Sequence, residues 1–223
     1  MSAPTPESTL DPTEISDLVI AGWAGRDAAR VEAHVRELEV EGIPRPPRTP
    51  MFYLLSASLL TTAADITVIG GSTSGEVECL LVSRDDGLWV GLASDHTDRA
   101  LERTSVAKSK QVCQKPAAAT LWRFDDVAPH WDQLELRSFV DAGGVLSPYQ
   151  EGTAAAMLPP EALIKQLIER GGTFAPGTAM FCGTLATLFA ISPSPRFEIE
   201  LHDPVLGRTI RHAYDVHEQA EAL

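Results

Sequence analysis

The most constraining stretch of the chain runs from Gly75 to Lys110, GEVECLLVSRDDGLWVGLASDHTDRALERTSVAKSK. Glu76 and Glu78 stand at the head of the apolar run Cys79-Leu80-Leu81-Val82, and Leu88-Trp89-Val90-Gly91-Leu92 returns after Arg84-Asp85-Asp86-Gly87. Two such runs across a short Asp-Gly turn predict an antiparallel hairpin. Strand side chains alternate between faces, so both acids project to one side, about 7 Å apart along the backbone. The second strand ends at Ser94-Asp95-His96, which carries a third carboxylate, Asp95, back towards the first two. Three convergent carboxylates suit a hard divalent cation, which takes oxygen ligands. The rival reading is a surface hairpin with solvated acids, because Glu-x-Glu is common on exposed strands.

The sequel favours chemistry. Asp98-Arg99-Ala100-Leu101-Glu102 opens a helix, and Lys108 follows within Val106-Ala107-Lys108-Ser109-Lys110. A cation site with an arginine and a lysine beside it suits a substrate bearing carboxylate and keto oxygens.

A chain of 223 residues, 44% hydrophobic and 22% charged, has the size and composition of a soluble protein with one sizeable core. Its net charge of -13 argues against nucleic acid and against an anionic membrane surface. Cys79, Cys113 and Cys182 are far apart, which fits buried reduced thiols rather than a disulfide framework or a zinc site. No basic segment followed by an apolar core marks the N-terminus, and no apolar run reaches the roughly 20 residues of a membrane span. These features predict a cytoplasmic protein.

Residues 1–12 are polar and proline-bearing and read as a disordered tail. Residues 13–50 read as a helical segment and a proline-rich linker, with one helix over Glu14 to Ala21 and a second from Asp27 to Glu41. Val31, His34, Val35 and Leu38 share a stripe of the second helix, which turns His34 inward. Strands are predicted at Met51–Leu55, Asp65–Ile69, Leu134–Val140, Val145–Gln150, Ala179–Cys182 and Phe197–Leu201, and a helix after Pro160. Tyr53 lies in the first of these, either against substrate or as a core aromatic. Gly183 and Thr184 leave the strand at Cys182, where a glycine permits close approach and a threonine offers a hydroxyl. Glu198 and Glu200 share a face of the last strand, with edge solubility as the alternative to a functional role.

In order along about the last two thirds of the chain, these segments resemble the fumarylacetoacetate hydrolase superfamily, and most nearly its small bacterial branch of uncharacterised function. Glu76 and Glu78 resemble its Glu-x-Glu pair, and residues 94–102 its Asn-Asp-x-Ser-Ala-Arg-Asp-x-Gln segment. Ala107-Lys108-Ser109 resembles its Gly-Lys-Ser segment, and Cys182-Gly183-Thr184-Leu185-Ala186 its Gly-Thr-Pro-x-Gly loop. The chain departs at Ala100 and Glu102, where relatives carry aspartate and glutamine.

The resemblance implies an α+β fold, a mixed β-sandwich roll of the fumarylacetoacetase type with few peripheral helices, over residues 51–223, and a homodimer. It implies Mg²⁺, or else Mn²⁺ or Ca²⁺, on Glu76, Glu78 and Asp95. Arg99, Gly183, Thr184 and Tyr53 would contact the substrate, and Lys108, Glu198 and His34 would be catalytic. The implied reaction is hydrolysis or lysis of a carbon–carbon bond in a small keto acid, acylpyruvate-like or sugar-derived. Decarboxylation, isomerisation and dehydration of the same kind of acid are alternatives, and a non-catalytic keto-acid binding protein is the alternative from another class.

Overall fold

The structure is a computed structural model that describes residues 7–40, 42–141 and 143–222. The strands of the first half are β1 (Ser8–Thr9), β2 (Asp17–Gly22), β3 (Met51–Leu55), β4 (Leu60–Thr61), β5 (Asp65–Ile69), β6 (Thr73–Ser74), β7 (Val77–Arg84) and β8 (Gly87–Ser94). Those of the second are β9 (Thr97–Asp98), β10 (Lys115–Pro116), β11 (Thr120–Arg123), β12 (Glu135–Asp141), β13 (Leu146–Thr153), β14 (Thr178–Thr184), β15 (Arg196–Asp203) and β16 (Arg208–Gln219). Among the described residues five α-helices accompany them: α1 (Ala28–Val40), α2 (Arg99–Glu102), α3 (Val106–Gln111), α4 (Phe124–Val127) and α5 (Pro160–Glu169).

Seven strands form one mixed sheet in the order β1-β11-β8-β7-β14-β2-β3, and five form a second in the order β13-β12-β15-β16-β5. The main core lies between them. Val77, Cys79, Leu81, Leu92 and Met180 of the first sheet meet Leu136, Ile199, Leu201 and Ile210 of the second. On the other face of the first sheet, Leu18, Ile20, Leu80, Val82 and Phe181 are covered by Leu10, Ile15, Leu60 and Ala117. Strands β2, β7 and β14 are thus buried on both faces, which is why they read as continuous apolar runs. The expected α+β sandwich is the fold observed.

The predicted hairpin is present, with Val77 opposite Ser94 and Arg84 opposite Gly87. All three cysteines are buried free thiols. The expected helix over Glu14 to Ala21 is instead strand β2, parallel to β14 and antiparallel to β3. Leu18, Val19, Ile20 and Ala21 are all buried, so no polar alternation marks their period, and a short apolar run is compatible with either element. The N-terminal segment is therefore not an appendage to a 51–223 domain, because it supplies an inner strand of the larger sheet. Of the predicted tail, residues 1–6 lie outside the described residues. Ser8 and Thr9 pair with β11, Leu10 is buried and Glu7 accepts from Trp122 Nε1 at 3.0 Å.

Helix α1 forms where predicted, although Glu41, its expected last residue, lies outside the described residues. Asp27 Oδ1 accepts from the amides of Ala29 and Arg30 at 3.0 and 3.2 Å and caps it. Only Val35 of its apolar stripe is buried. Among the described residues no helix is long and apolar enough to cross a membrane.

Candidate active site

The end of the β7–β8 hairpin gathers the charged groups. Glu76 precedes β7, and its carbonyl accepts from the Asp95 amide at 2.9 Å, which fixes the acid after β8 beside the acid before β7. Glu78 lies within β7 opposite Thr184 of β14, and is 2% exposed. The β14 register shifts between Phe181 and Thr184, and Gly183 adopts a positive φ of 92°. That bulge aims the Gly183 amide at Glu78 Oε2, 2.6 Å away. A Cβ on Gly183 would stand 2.9 Å from Ala24 Cβ, so the position needs glycine for space as well as for φ. Thr184 Oγ1 donates to the Val77 carbonyl at 2.8 Å and accepts from Gln150 Nε2 at 2.8 Å. Its hydroxyl ties β14 to β7.

Asp95 is fully buried between two lysines. Lys110 Nζ donates to its Oδ2, and Lys115 Nζ lies 3.1 Å from its Oδ1. Lys115 also donates to the His96 carbonyl. Burial by itself would raise the Asp95 carboxyl, but Lys110 and Lys115 outweigh it and hold it below the ordinary carboxylate range. Lys110 is likewise opposed by burial but held above its usual value by Asp95 and Glu76. Lys115 is lowered by burial, and Lys110 beside it adds to that. One carboxylate cannot fully neutralise two ammonium groups. Glu78 moves the other way from Asp95: burial raises it well above its ordinary value, and the charges of Asp95 and Glu76 add to the effect.

Arg99, from the first turn of α2, pairs with Glu76 at 3.2 Å and with Glu102 at 3.1 Å. Its Nη2 and Nε are buried without a hydrogen-bond partner. Beneath the site His96 is buried, hydrogen-bonded to Tyr214 at 3.1 Å and to Thr73 at 2.9 Å. Burial first, and Lys115 second, push it down to about 3, so it is a neutral strut. Gly75 leaves room for this layer, since a Cβ there would meet the Tyr214 hydroxyl at 2.2 Å.

One wall is aromatic. Lys110 Nζ lies 5.9 Å from the Tyr53 ring centroid, and Trp23 Nε1 donates to the Tyr53 hydroxyl at 3.1 Å. Trp23 has φ 58°, the left-handed conformation that a bulky residue rarely adopts, and it is the sole non-glycine among the described residues to do so. The segment after it is fastened down: Ala24 O accepts from Leu158 N at 2.8 Å, and Arg26 pairs with Asp132 at 2.6 Å. The His34 ring lies 5.8 Å from that of Trp23 and its Nδ1 lies 3.5 Å from Glu37.

The structure thus brings Glu76, Glu78, Asp95, Arg99 and Gly183 to one place, with Tyr53 and Thr184 at its border. Three expectations are corrected. Lys108 is exposed, because it lies about 200° around the helix from Lys110 at 100° per residue, and Lys110 takes the inward direction. Glu198 sits on the smaller sheet, half-buried and paired with Arg196 at 3.0 Å; strand alternation sends Phe197 inward against His96 instead. His34 is exposed rather than inward-facing, since α1 packs through Val35.

Sequence reasoning missed Lys110, Lys115, Trp23 and Gln150. The sole local signal for Lys115 was a lysine leading into the small apolar run Pro116-Ala117-Ala118. Gln150, fully buried, accepts from the Val77 amide at 2.9 Å and secures the start of β7.

The fit of a divalent ion has two sides. The donor chemistry suits one: three carboxylates lie near the end of one hairpin, within each other's electrostatic reach, and buried Glu78 has no basic side chain within ion-pair distance among the described residues. As arranged, however, no three His, Cys, Asp or Glu side chains among the described residues are grouped to hold an ion. Lysines stand on both oxygens of Asp95.

Solved structures share this architecture. The yeast protein ynq8, of the fumarylacetoacetate hydrolase family, superposes with TM-score 0.66 at 18% identity, covering 93% of this chain and 95% of its own. A 2-keto-3-deoxy-D-arabinonate dehydratase complexed with magnesium and 2,5-dioxopentanoate gives 0.68 at 16% identity, over 93% of this chain and 75% of its own. Maleylpyruvate hydrolase from Sphingobium sp. SYK-6, with manganese(II) and pyruvate, gives 0.64 at 13% identity, over 91% and 70%. The fold is that of the fumarylacetoacetate hydrolase superfamily. No curated protein matches by sequence. Residues 21–214 match the family described as protein of unknown function (DUF2848), and the chain belongs to it.

Proposed function

We propose that the protein is a divalent-metal-dependent enzyme that cleaves a carbon–carbon bond of a small oxo acid, an acylpyruvate or a sugar-derived 2-oxo acid, by hydrolysis. The observation that carries this reading is the hairpin end itself, where Glu76, Glu78 and Asp95 are enclosed with Arg99, Lys110 and Lys115. Buried acids of one sign with buried bases around them form a site built for a cation and an anion together. The dehydratase solved with magnesium and 2,5-dioxopentanoate and the hydrolase solved with manganese(II) and pyruvate support the same pairing of ligands.

Glu76, Glu78 and Asp95 would hold Mg²⁺ or Mn²⁺. Bound there, the ion supplies a Lewis acid that polarises the oxo oxygens of the substrate. Arg99 Nε is buried without a hydrogen-bond partner and Nη2 meets Glu76 only as an ion pair at 3.2 Å, so the guanidinium keeps donors that a substrate carboxylate would accept from. Lys115, destabilised as an ammonium by burial and by Lys110, is suited to exchanging a proton with the substrate oxygen or carbon. Tyr53 and Trp23, hydrogen-bonded to each other beside Lys110, would shield one side of a bound substrate from water. His34, exposed on α1 with Glu37 3.5 Å away and its ring 5.8 Å from that of Trp23, would be the general base for the attacking water.

Decarboxylation, isomerisation and dehydration would draw on the same substrate geometry. The test is turnover of acylpyruvates, oxaloacetate and sugar-derived 2-oxo acids, with Mg²⁺ or Mn²⁺ and with chelator. Metal-dependent release of pyruvate and a second acid is the expected result. Turnover indifferent to chelator would sink the metal-dependent reading, and stabilisation by these acids without turnover would identify a binding protein instead.

A further inference from the structure

Lys110 lies where the acids converge. Its stem leaves the last turn of α3, and α3 is docked by Gln111 Oε1, which accepts from the Ser56 amide at 3.1 Å. The side chain is 7% exposed and its ammonium rests on Asp95 Oδ2, within the field of Glu76 and Glu78 as well. A lysine ammonium is a compact point charge on a flexible stem, unlike the planar guanidinium of Arg99. We propose that Lys110 is a built-in competitor of the divalent ion: it neutralises the carboxylates in the ion's place and must withdraw towards the Tyr53 ring for the ion to bind.

Charge balance supports this. The enclosed acids are Glu76, Glu78, Asp95 and Glu102, and the enclosed bases are Arg99, Lys110 and Lys115, one fewer. Adding a divalent ion to that set leaves excess positive charge, with Glu78 either ionised or protonated, in a place that solvent screens poorly. Either a resident cation moves away or an anion enters with the metal. Lys110 is the resident cation with the fewest ties, because it holds Asp95 alone, whereas Lys115 is fully buried and also tied to the His96 carbonyl, and Arg99 is forked between Glu76 and Glu102. The Tyr53 ring, 5.9 Å from Nζ, offers a second seat of the cation–π kind. The same balance makes a dianionic oxo acid or oxalate a promoter of metal binding.

This inference rests on the metal-dependent reading but is tested apart from turnover. Mn²⁺ affinity is measured by electron paramagnetic resonance and by calorimetry on the full chain, for wild type, Lys110→Met, Lys110→Gln and Lys108→Met. Circular dichroism checks that each variant is folded. The exposed Lys108 removes the same charge from the same helix, so it controls for long-range electrostatics. Both Lys110 variants are expected to bind Mn²⁺ about tenfold or more tightly than wild type, with Lys108→Met unchanged. Oxalate is expected to tighten Mn²⁺ binding to wild type more than to Lys110→Met. If one Lys110 variant does not fold, the other decides. Equal or weaker affinity in the folded Lys110 variants overturns this proposal and leaves the metal reading standing. No Mn²⁺ binding by any of the four at millimolar metal overturns both.

Discussion

Lys115 Nζ lies 3.1 Å from Asp95 Oδ1, and both side chains are almost wholly removed from solvent. Twenty residues of chain separate them, yet β10 holds Lys115 beside the end of β8 through its pairing with β4 and the bridge from Ala93 to Ala117. A buried ammonium of lowered pKa beside a buried carboxylate is a costly arrangement to retain in a core, which makes it a strong marker of function.

Removing the ammonium separates the corrected site from the one read off the sequence. Lys115→Met is expected to lower turnover of the active oxo acid by about 100-fold or more. Lys108→Met and Glu198→Gln, both outside the cluster, are expected to stay within about twofold of wild type, as surface substitutions do. Steady-state kinetics on the three variants checks this. Loss of activity in Glu198→Gln would restore that residue to the mechanism.

Gly183 couples backbone shape to a carboxylate. Gly183→Ala places a Cβ 2.9 Å from Ala24 Cβ at a φ of 92°, and the bulge must shift. The expected cost is about 1–3 kcal/mol in urea unfolding. The shift also draws the amide away from Glu78, so Mn²⁺ affinity should change as well. A variant as stable as wild type would show that the bulge relaxes freely.

The pH dependence of stability in chelator-treated protein follows from Glu78. Its folded pKa lies above its unfolded value, so the folded state binds more protons between the two, and stability falls as pH rises through that window. The loss starts near the ordinary glutamate value of about 4.3. Asp95 acts oppositely and lower: its folded pKa is depressed, so its contribution is present above about 3.9 and is lost only as pH falls further. Glu78→Gln should remove the downward slope and exceed wild type by about 1–3 kcal/mol at pH 8. Chemical denaturation across pH 4–9 decides it; an unchanged slope would show that Glu78 is ionised without penalty.

Trp23 is held in a disfavoured conformation by its neighbours and donates to Tyr53 at 3.1 Å. Trp23→Phe keeps an aromatic ring but loses the donor, at an expected cost of about 1 kcal/mol. With the wall loosened, KM for the oxo acid should rise while Mn²⁺ affinity stays at the wild-type value. A fall in metal affinity would place the indole closer to the carboxylates than to the opening.

The candidate site was half legible. Glu76, Glu78 and Asp95 stand at the hairpin end that alternation and the short turn required, although among the described residues no three acids are grouped to hold an ion, and Gly183 donates to Glu78 at the predicted strand end. Lys108 was chosen on a three-residue likeness, and helix geometry turned it outward while Lys110 faced in. Glu198 failed for a related reason, since its strand belongs to the other sheet and its face points away. Helix and strand could not be told apart for Leu18 to Ala21, where burial on both sides erased the polar alternation that distinguishes them.

Local rules settled the hairpin, the capped helix α1 and the proline-started α5, because each depends on contacts among residues near in sequence. The place of Lys115, the seat of Lys110 on Asp95 and the parallel entry of β2 beside β14 depend on contacts between distant segments. Those contacts form only when two sheets close over a shared core, and no short stretch of residues encodes them. The sequence by itself therefore determined which acids share the hairpin end; only the tertiary structure decided which bases reach them.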